Sequence, residues 1–186
     1  MKSFFFLRSI FLFHLIIVAP LAPTLSLAKS TNLIKKTCKK TPYPDLCISS
    51  LRSHAKGSGV TIHDLAGIIL NLTLANATNT LSHIEALINQ AEDPQLERLL
   101  DYCAELYIPV VKYTLPQAIV AFNKAQYGFA EYGVSDAGDQ ADTCEKEFSQ
   151  SKVSSPLGDR NKLVSELCDV AVAIIKMVSK VKHNLR

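Results

Sequence analysis

Apolar residues recur along most of the chain in steps of three and four, the spacing of one face of an α-helix. The first such stripe comprises Ile62, Leu65, Ile69, Leu72, Leu81, Ile84 and Ile88. Just before it, Thr61 and Asp64 imitate a capping box, in which each side chain bonds the backbone N–H of the other residue. The pattern predicts one long helix over about residues 62–91.

A second stripe begins after Asp93-Pro94, since Asp is a good N-cap and Pro is well placed at the first helical position. The stripe comprises Leu96, Leu99, Cys103, Leu106, Val110 and Tyr113. Pro109 lies inside it and predicts a kink or a local adjustment of the helix. A further helix is expected over residues 116–122, with Ile119 and Phe122 facing inward.

The C-terminal third continues the helical pattern. Three glycines dilute helix propensity over residues 127–138, but the steps persist through Val134, Ala137, Ala141, Cys144 and Phe148. Pro156-Leu157-Gly158 indicates a loop, after which Asp159 is expected to cap the last helix. The stripe of that helix comprises Leu163, Leu167, Val170, Ile174, Val178 and Val181.

The arrangement of these segments predicts the fold class. No strand-like alternation with hairpin turns occurs, and four long amphipathic segments are joined by short loops. We therefore expect an all-α protein, an antiparallel four-helix bundle over residues 60–186. Residues 29–56 lie outside that count and are expected to form a short N-terminal helical hairpin extension.

The N-terminus has the layout of a secretory signal peptide. Lys2 and Arg8 bracket a positive region, an apolar run follows, and Ser26-Leu27-Ala28 places small residues before a cleavage point after Ala28. Two prolines interrupt the run, whereas a membrane anchor usually needs about 20 uninterrupted apolar residues. We predict that residues 1–28 are removed, that the protein is secreted, and that residues 29–186 form one domain without a membrane segment.

The charge of the mature chain limits its partners. Without Lys2 and Arg8, 18 basic and 17 acidic side chains remain, a net charge of about +1. A charge this small gives no reason to expect nucleic acid or an anionic membrane as a partner.

The five cysteines, Cys38, Cys47, Cys103, Cys144 and Cys168, all lie in the mature part. Secretion exposes them to an oxidising compartment, so disulfides are expected rather than a zinc site. Because the number is odd, at least one thiol is free or pairs outside the chain. Spacing alone leaves the pairing open, although Cys38 and Cys47 flank a turn-forming Thr-Pro-Tyr-Pro stretch that would close a small hairpin.

Two N-glycosylation sequons follow one another, Asn71-Leu72-Thr73 and Asn76-Ala77-Thr78. Chance matches to this pattern are common. In a secreted chain, each is nevertheless a candidate attachment site.

A search for catalytic chemistry finds none. The histidines have no ligand spacing, and neither a nucleophile elbow nor a glycine-rich phosphate loop is present. No cofactor is therefore expected. Asp136, Asp139 and Asp142 have helical spacing rather than that of a calcium loop. They form either a solvated helix face or an acidic strip that meets a basic partner. Cys168, on the last apolar stripe, is expected to be buried and inert.

Four cysteine-containing motifs resemble the plant invertase and pectin methylesterase inhibitor family. They are Cys38-Lys-Lys-Thr-Pro-Tyr-Pro-Asp-Leu-Cys47, Leu100-Asp-Tyr-Cys103-Ala-Glu-Leu-Tyr107, Ala141-Asp-Thr-Cys144-Glu and Leu167-Cys168-Asp-Val. The second departs from the family pattern at Tyr102, where an Asp is usual. The resemblance implies bridges Cys38–Cys47 and Cys103–Cys144, a free Cys168, and an inhibitor that caps an enzyme's active-site cleft in a one-to-one complex in the plant cell wall.

The resemblance leaves two target enzymes, pectin methylesterase and a cell-wall or vacuolar acid invertase (β-fructofuranosidase). Asn89-Gln90-Ala91-Glu92-Asp93-Pro94 and Leu167-Cys168-Asp169 are similar to pectin methylesterase inhibitors, whereas Leu115-Pro116-Gln117-Ala118-Ile119 and Phe129-Ala130-Glu131 are similar to invertase inhibitors. Invertase inhibitors carry Pro-Lys-Phe where this chain has Tyr127-Gly128-Phe129, so these motifs favour pectin methylesterase by a small margin. The candidate contact residues are Tyr127, Phe129, Glu131, Asp136, Asp139, Asp142 and Thr143.

Three other classes fit less well. A lipid carrier of this size would be far richer in cysteine and would need a tunnel. An enzyme of unrecognised type would need a nucleophile–base pair or a metal set. A pro-region separated from its enzyme would be followed by further chain, but the sequence ends with the last helix.

Overall fold

The structure, a computed structural model, describes residues 22–55 and 59–184, with side chains from Ser30 onward. Within these ranges it contains seven α-helices and one π-helical turn. They are α1 (Ala22–Cys38), α2 (Pro44–His54), α3 (Ile62–Ile88), α4 (Pro94–Pro109), the π-helical turn (Val110–Thr114), α5 (Leu115–Asn123), α6 (Tyr127–Ser151) and α7 (Gly158–His183). The predicted all-α fold is confirmed, and the predicted signal peptide lies mostly outside the described residues.

Four helical columns form the bundle. The π-helical turn joins α4 and α5 into one continuous helical segment, which is one of the four columns. Helix α3 packs against α4 and α7, and α6 packs against α7 and against both α4 and α5. The columns therefore form a ring of antiparallel neighbours around one apolar core. The hairpin of α1 and α2 packs against the start of α3 and touches α7.

The start of α3 is a full capping box. The Thr61 hydroxyl accepts from the Asp64 backbone N–H at 3.2 Å, and Thr61 N–H donates to Asp64 Oδ2 at 2.8 Å. The Thr61 hydroxyl also donates to Asp64 Oδ2 at 2.7 Å, and this bond, followed by the one from the Thr61 N–H, lowers the pKa of Asp64. Asp93 caps α4 as expected, because its side chain accepts from the Gln95 N–H at 3.0 Å. Both predicted helix starts are confirmed.

The local adjustment expected near Pro109 is the π-helical turn. Leu115 N–H bonds to Val110 O, five residues earlier. Pro109 and Pro116 flank the turn, and neither has an N–H to continue the ordinary ladder. Because the turn is wider, the next residue after Val110 that faces the core is Leu115 and not Tyr113. The prediction that Tyr113 faces the core is therefore wrong, since its side chain is 60% exposed.

Helices α6 and α7 approach each other closely. A Cβ at Gly138 would lie 3.1 Å from Cys168 Cβ, so only a glycine permits this approach without a shift. The expected Asp159 cap is wrong, because Leu157 is the N-cap and makes no side-chain capping bond. Val181 is also half exposed rather than inward, since it lies near the end of α7.

Two disulfides join Cys38 to Cys47 and Cys103 to Cys144, the pairing that the family resemblance implies. The first closes the hairpin of α1 and α2, and the second links α4 to α6. Cys168 is free and buried. Burial raises the pKa of its thiol, which favours the protonated form.

Candidate docking surface on helix α6

The seven candidate contact residues lie on two different faces of α6. Four of them, with Tyr132, follow steps of three and four along the outward face. This row, which we call the docking ridge, comprises Phe129, Tyr132, Asp136, Asp139 and Thr143. The ridge begins at the first turn of α6 and faces away from its buried stripe.

A groove of about 610 Å³ lies beside the start of the ridge. Its α6 side is formed by Phe129, Tyr132 and Asp136, and its other side by Gln117 and Ala121 of α5. The rings of Phe129 and Tyr132 are 75% and 76% exposed. Two neighbouring aromatic side chains left in water beside a groove are typical of a protein-binding surface.

A close contact between α5 and α6 makes the floor of this groove. A Cβ at Gly133 would lie 3.1 Å from Ala118 Cβ and 3.5 Å from the Thr114 carbonyl oxygen. Small residues at both positions let the backbones of α5 and α6 approach.

The remaining three candidates, Tyr127, Glu131 and Asp142, face α7 instead. Lys182 Nζ lies 5.5 Å from the centroid of the Tyr127 ring, and that ring packs against Phe122. Glu131 forms an ion pair with Lys176 at 3.1 Å. These contacts give Tyr127 and Glu131 a role in joining α6 to α7.

Asp142 borders a second cavity, between α6, α7 and the hairpin residue Tyr43. Glu166 and Asp169 line the same cavity, and Lys162 is the lysine beside them. Partial burial, followed by the charge of Asp142, raises the pKa of Asp169. This cavity is therefore an acidic seam between helices and not an extension of the docking ridge.

The turn that presents Phe129 is strained. Ala125, between α5 and α6, has φ +57°, a left-handed conformation that is uncommon for residues other than glycine. It lets the chain reverse within three residues and start α6 at Tyr127. Ala125 N–H bonds to Phe122 O and Gln126 N–H bonds to Ala121 O, each at 2.9 Å, so the left-handed residue caps the C-terminus of α5.

Tyr132 is the member of the ridge that the sequence motifs missed. The sequence contains a signal for it: Tyr132 lies three residues after Phe129, and the neighbouring Val134 and Ala137 occupy the buried face. A helical projection of residues 127–151 therefore separates Tyr132 from the core.

The described part of the chain offers no metal centre. It contains no group of three or more metal-binding side chains, and none of its helices has the length and apolarity needed to cross a membrane. The strongest pKa changes, at Tyr107 and Cys168, occur at side chains enclosed in the core. The described residues thus define a disulfide-linked helical bundle with exposed aromatic rings beside a groove.

Comparison with known proteins identifies the family. Residues 32–174 match the model of the plant invertase/pectin methylesterase inhibitor family. The chain belongs to this family, and its relatives are enzyme inhibitors rather than enzymes.

Individual relatives carry both inhibitor names. The chain is 36% identical to the cell wall / vacuolar inhibitor of fructosidase 1 of Arabidopsis thaliana, over 82% of this chain and 72% of that protein. It is 27% identical to the pectinesterase inhibitor of Actinidia deliciosa, over 88% and 89%. A crystal structure of a mutant pectin methylesterase inhibitor from Arabidopsis superposes with a TM-score of 0.68 at 25% identity, covering 77% of this chain and 95% of that one.

Proposed function

We propose that this protein is a secreted inhibitor of an acid invertase (β-fructofuranosidase), which it binds at the active-site cleft in a one-to-one complex. The observation that carries the proposal is the exposed Phe129 at the first turn of α6. Phe129 belongs to the Phe-Ala-Glu stretch that resembles invertase inhibitors, and it stands beside an open groove. An exposed aromatic ring next to a groove is the kind of anchor that contributes most to binding energy.

The positions of the target-specific motifs favour invertase over pectin methylesterase. Each motif that favours pectin methylesterase contains a residue with a structural role. Asp93, in the first motif, caps α4, and Cys168, in the second, is buried in the core. Phe129 of the Phe-Ala-Glu stretch, in contrast to Cys168, lies at the surface, where a partner can reach it. Greater identity to the fructosidase inhibitor than to the pectinesterase inhibitor also supports this choice.

The loss of the lysine changes how such an inhibitor would hold its target. Gly128 stands where invertase inhibitors carry Lys, so no ammonium group precedes Phe129 to meet the enzyme's carboxylates. Aromatic burial by Phe129 and Tyr132 must then supply more of the affinity. The carboxylates of Asp136 and Asp139, further along the ridge, suit basic groups at the rim of the cleft.

Pectin methylesterase is the second candidate. The Asn89–Pro94 and Leu167–Asp169 motifs support it, as does the structural similarity to a pectin methylesterase inhibitor. With either target we infer that the protein is secreted to the cell wall, because residues 1–28 have the layout of a signal peptide and the name of one relative includes the cell wall.

Titration of both enzymes with the purified mature protein tests the proposal. At about pH 5, where carboxylates are largely ionised, we expect acid invertase activity to fall linearly to an end point at one inhibitor per enzyme. Inhibition of pectin methylesterase alone would replace the first candidate by the second. If neither activity changed, the protein would not be an inhibitor of either enzyme.

A further inference from the structure

We propose that the secreted protein carries a single N-linked glycan, attached to Asn71 and seated in the groove between α3, α5 and the end of α2, and that Asn76 is unmodified. The proposal rests on the secretion of the chain and not on the identity of its target enzyme.

Asn71 stands at an open site. Its side chain is exposed and borders a groove of about 610 Å³, whose walls include His54 of α2 and Phe122 of α5. One turn earlier on α3 is Gly67, and a Cβ built there would meet no atom within 4 Å. The space next to the Asn71 amide is therefore free for a sugar ring.

The hydrogen bond of Asn71 is compatible with the modification. Asn71 Nδ2 donates to the Gly67 carbonyl at 2.7 Å. In the transfer, a lipid-diphosphate-linked oligosaccharide supplies the sugar. A bond forms between the sugar C1 and Nδ2, the bond from C1 to the diphosphate oxygen breaks, and Nδ2 gives one of its two protons to a base of the transferase. The remaining N–H can keep the bond to Gly67.

Asn76 lacks this room. It is only partly exposed, and its Nδ2 donates to the Leu72 carbonyl at 2.8 Å. Leu72, the residue one turn earlier, has a side chain that packs against the core. A sugar on Asn76 would meet the Leu72 side chain, whereas a sugar on Asn71 meets a glycine. The glycan is attached before the helix forms, so the chain must fold with the sugar in place. Only a chain with its glycan on Asn71 fits the folded structure, and this is the form that we expect to be secreted.

The groove also offers a surface for the first sugar residues. The His63 ring stacks on Phe122 with centroids 4.4 Å apart, and Ile68 adds apolar surface. Covering this surface removes it from water. Helix α5 separates the groove from the docking ridge, because Phe122 faces one groove and Ala121 lines the other. The glycan therefore leaves the ridge accessible.

Secretion of the full-length chain from plant cells, followed by glycopeptide mass spectrometry, tests the site. We expect one glycan on Asn71 in the wild type and in the matched control Asn76→Gln, and none in Asn71→Gln. Thr78→Ala, which removes the second sequon without changing Asn76, should also keep the glycan. A glycan on Asn76, an unmodified Asn71, or a chain retained with residues 1–28 would each overturn the proposal.

Thermal unfolding with and without the glycan tests whether the glycan lies in this groove. Removal of the glycan from folded wild type should lower Tm by a few degrees, and an unchanged Tm would overturn the placement in the groove. Enzyme titration with the same preparations separates this proposal from the inhibitory function, because Asn71→Gln should inhibit as strongly as the wild type. Loss of inhibition in that variant alone would show that the glycan contributes to the docking surface, contrary to the placement.

Discussion

The Tyr107 hydroxyl donates a hydrogen bond to Asn161 Oδ1 at 2.8 Å, and both side chains are buried. The bond crosses the core from α4 to α7. Asn161 Nδ2 in turn donates to Glu145 Oε2 at 3.0 Å, and the Ser155 hydroxyl donates to the same oxygen at 2.8 Å. Ser155 also accepts from Leu157 N–H at 3.1 Å. One network thus fixes α4, α6, α7 and the loop before α7.

Tyr107→Phe removes the first bond of this network and should destabilise the protein. The variant leaves Asn161 Oδ1 buried without its donor, which corresponds to a loss of about 1–3 kcal/mol in the free energy of unfolding. Urea denaturation measures this loss in the free energy of unfolding. Tyr102→Phe is the matched control, because Tyr102 is 37% exposed, and it should change stability by less than about 0.5 kcal/mol. Equal effects of the two substitutions would contradict the role of the network.

Loss of the Cys103–Cys144 bridge should destabilise the protein more than loss of Cys38–Cys47. The first closes a separation of 41 residues and the second of 9. In the chain-entropy model these loops correspond to about 4 and about 2.7 kcal/mol. Paired Cys→Ser variants compared by urea denaturation check the order. The reverse order would show that packing of the hairpin, rather than loop length, dominates.

Asp169→Asn should raise stability at neutral pH and have little effect in acid. Partial burial, then the charges of Asp142 and Asp139 on α6 and Glu166 on α7, raises the folded-state pKa of Asp169 above the unfolded value. A raised carboxyl pKa means that the folded state favours the protonated form. Stability is then highest below the unfolded pKa of about 3.9 and declines as pH rises through the folded value.

The Asn side chain at position 169 is neutral at every pH. The Tm of the variant should therefore exceed that of the wild type above this pH range and equal it below. Thermal unfolding from about pH 3 to pH 7 measures the difference. Asp101→Asn, on the exposed side of α4, serves as the control. A gain for Asp169→Asn that did not depend on pH would contradict this explanation.

Lys152→Gly should stabilise the C-terminus of α6. Lys152 has φ +56° and Val153 N–H bonds to Phe148 O at 3.3 Å, the arrangement of a Schellman cap. The left-handed conformation costs residues with a side chain about 1–2 kcal/mol, and glycine avoids this cost but loses more backbone entropy on folding. The net gain for the variant should be about 1 kcal/mol. Lys146→Gly, inside the same helix, should instead lose about 1 kcal/mol. Chemical denaturation of the two variants should show a higher free energy of unfolding for Lys152→Gly and a lower one for Lys146→Gly.

Helix spacing predicts the fold well where each turn is regular. The stripe of α3 and the caps at Thr61 and Asp93 depend on residues close in sequence, so the sequence contains the information. Tyr113 is misplaced because a π-helical turn adds a residue between two inward positions. Pro109 and Pro116 lie on either side of this turn, but the period of the apolar residues does not reveal the extra residue.

The docking surface is predicted only in part for a similar reason. Phe129 is found from its motif, but the motif does not say that Glu131 and Asp142 turn towards α7 while Asp136 and Tyr132 face the groove. That division depends on which helix packs on each side of α6. It is a property of the assembled bundle and not of residues 127–143 alone.

Titration of a plant acid invertase with the wild type and with Phe129→Ala tests the central claim most directly. Tyr113→Ala, another exposed aromatic substitution that lies outside the groove lining, is the matched control. If Phe129 is the anchor, its truncation should weaken inhibition by about 30-fold, the equivalent of about 2 kcal/mol, while Tyr113→Ala inhibits like the wild type. Equal inhibition by all three proteins, or no inhibition of invertase by the wild type, would contradict the account.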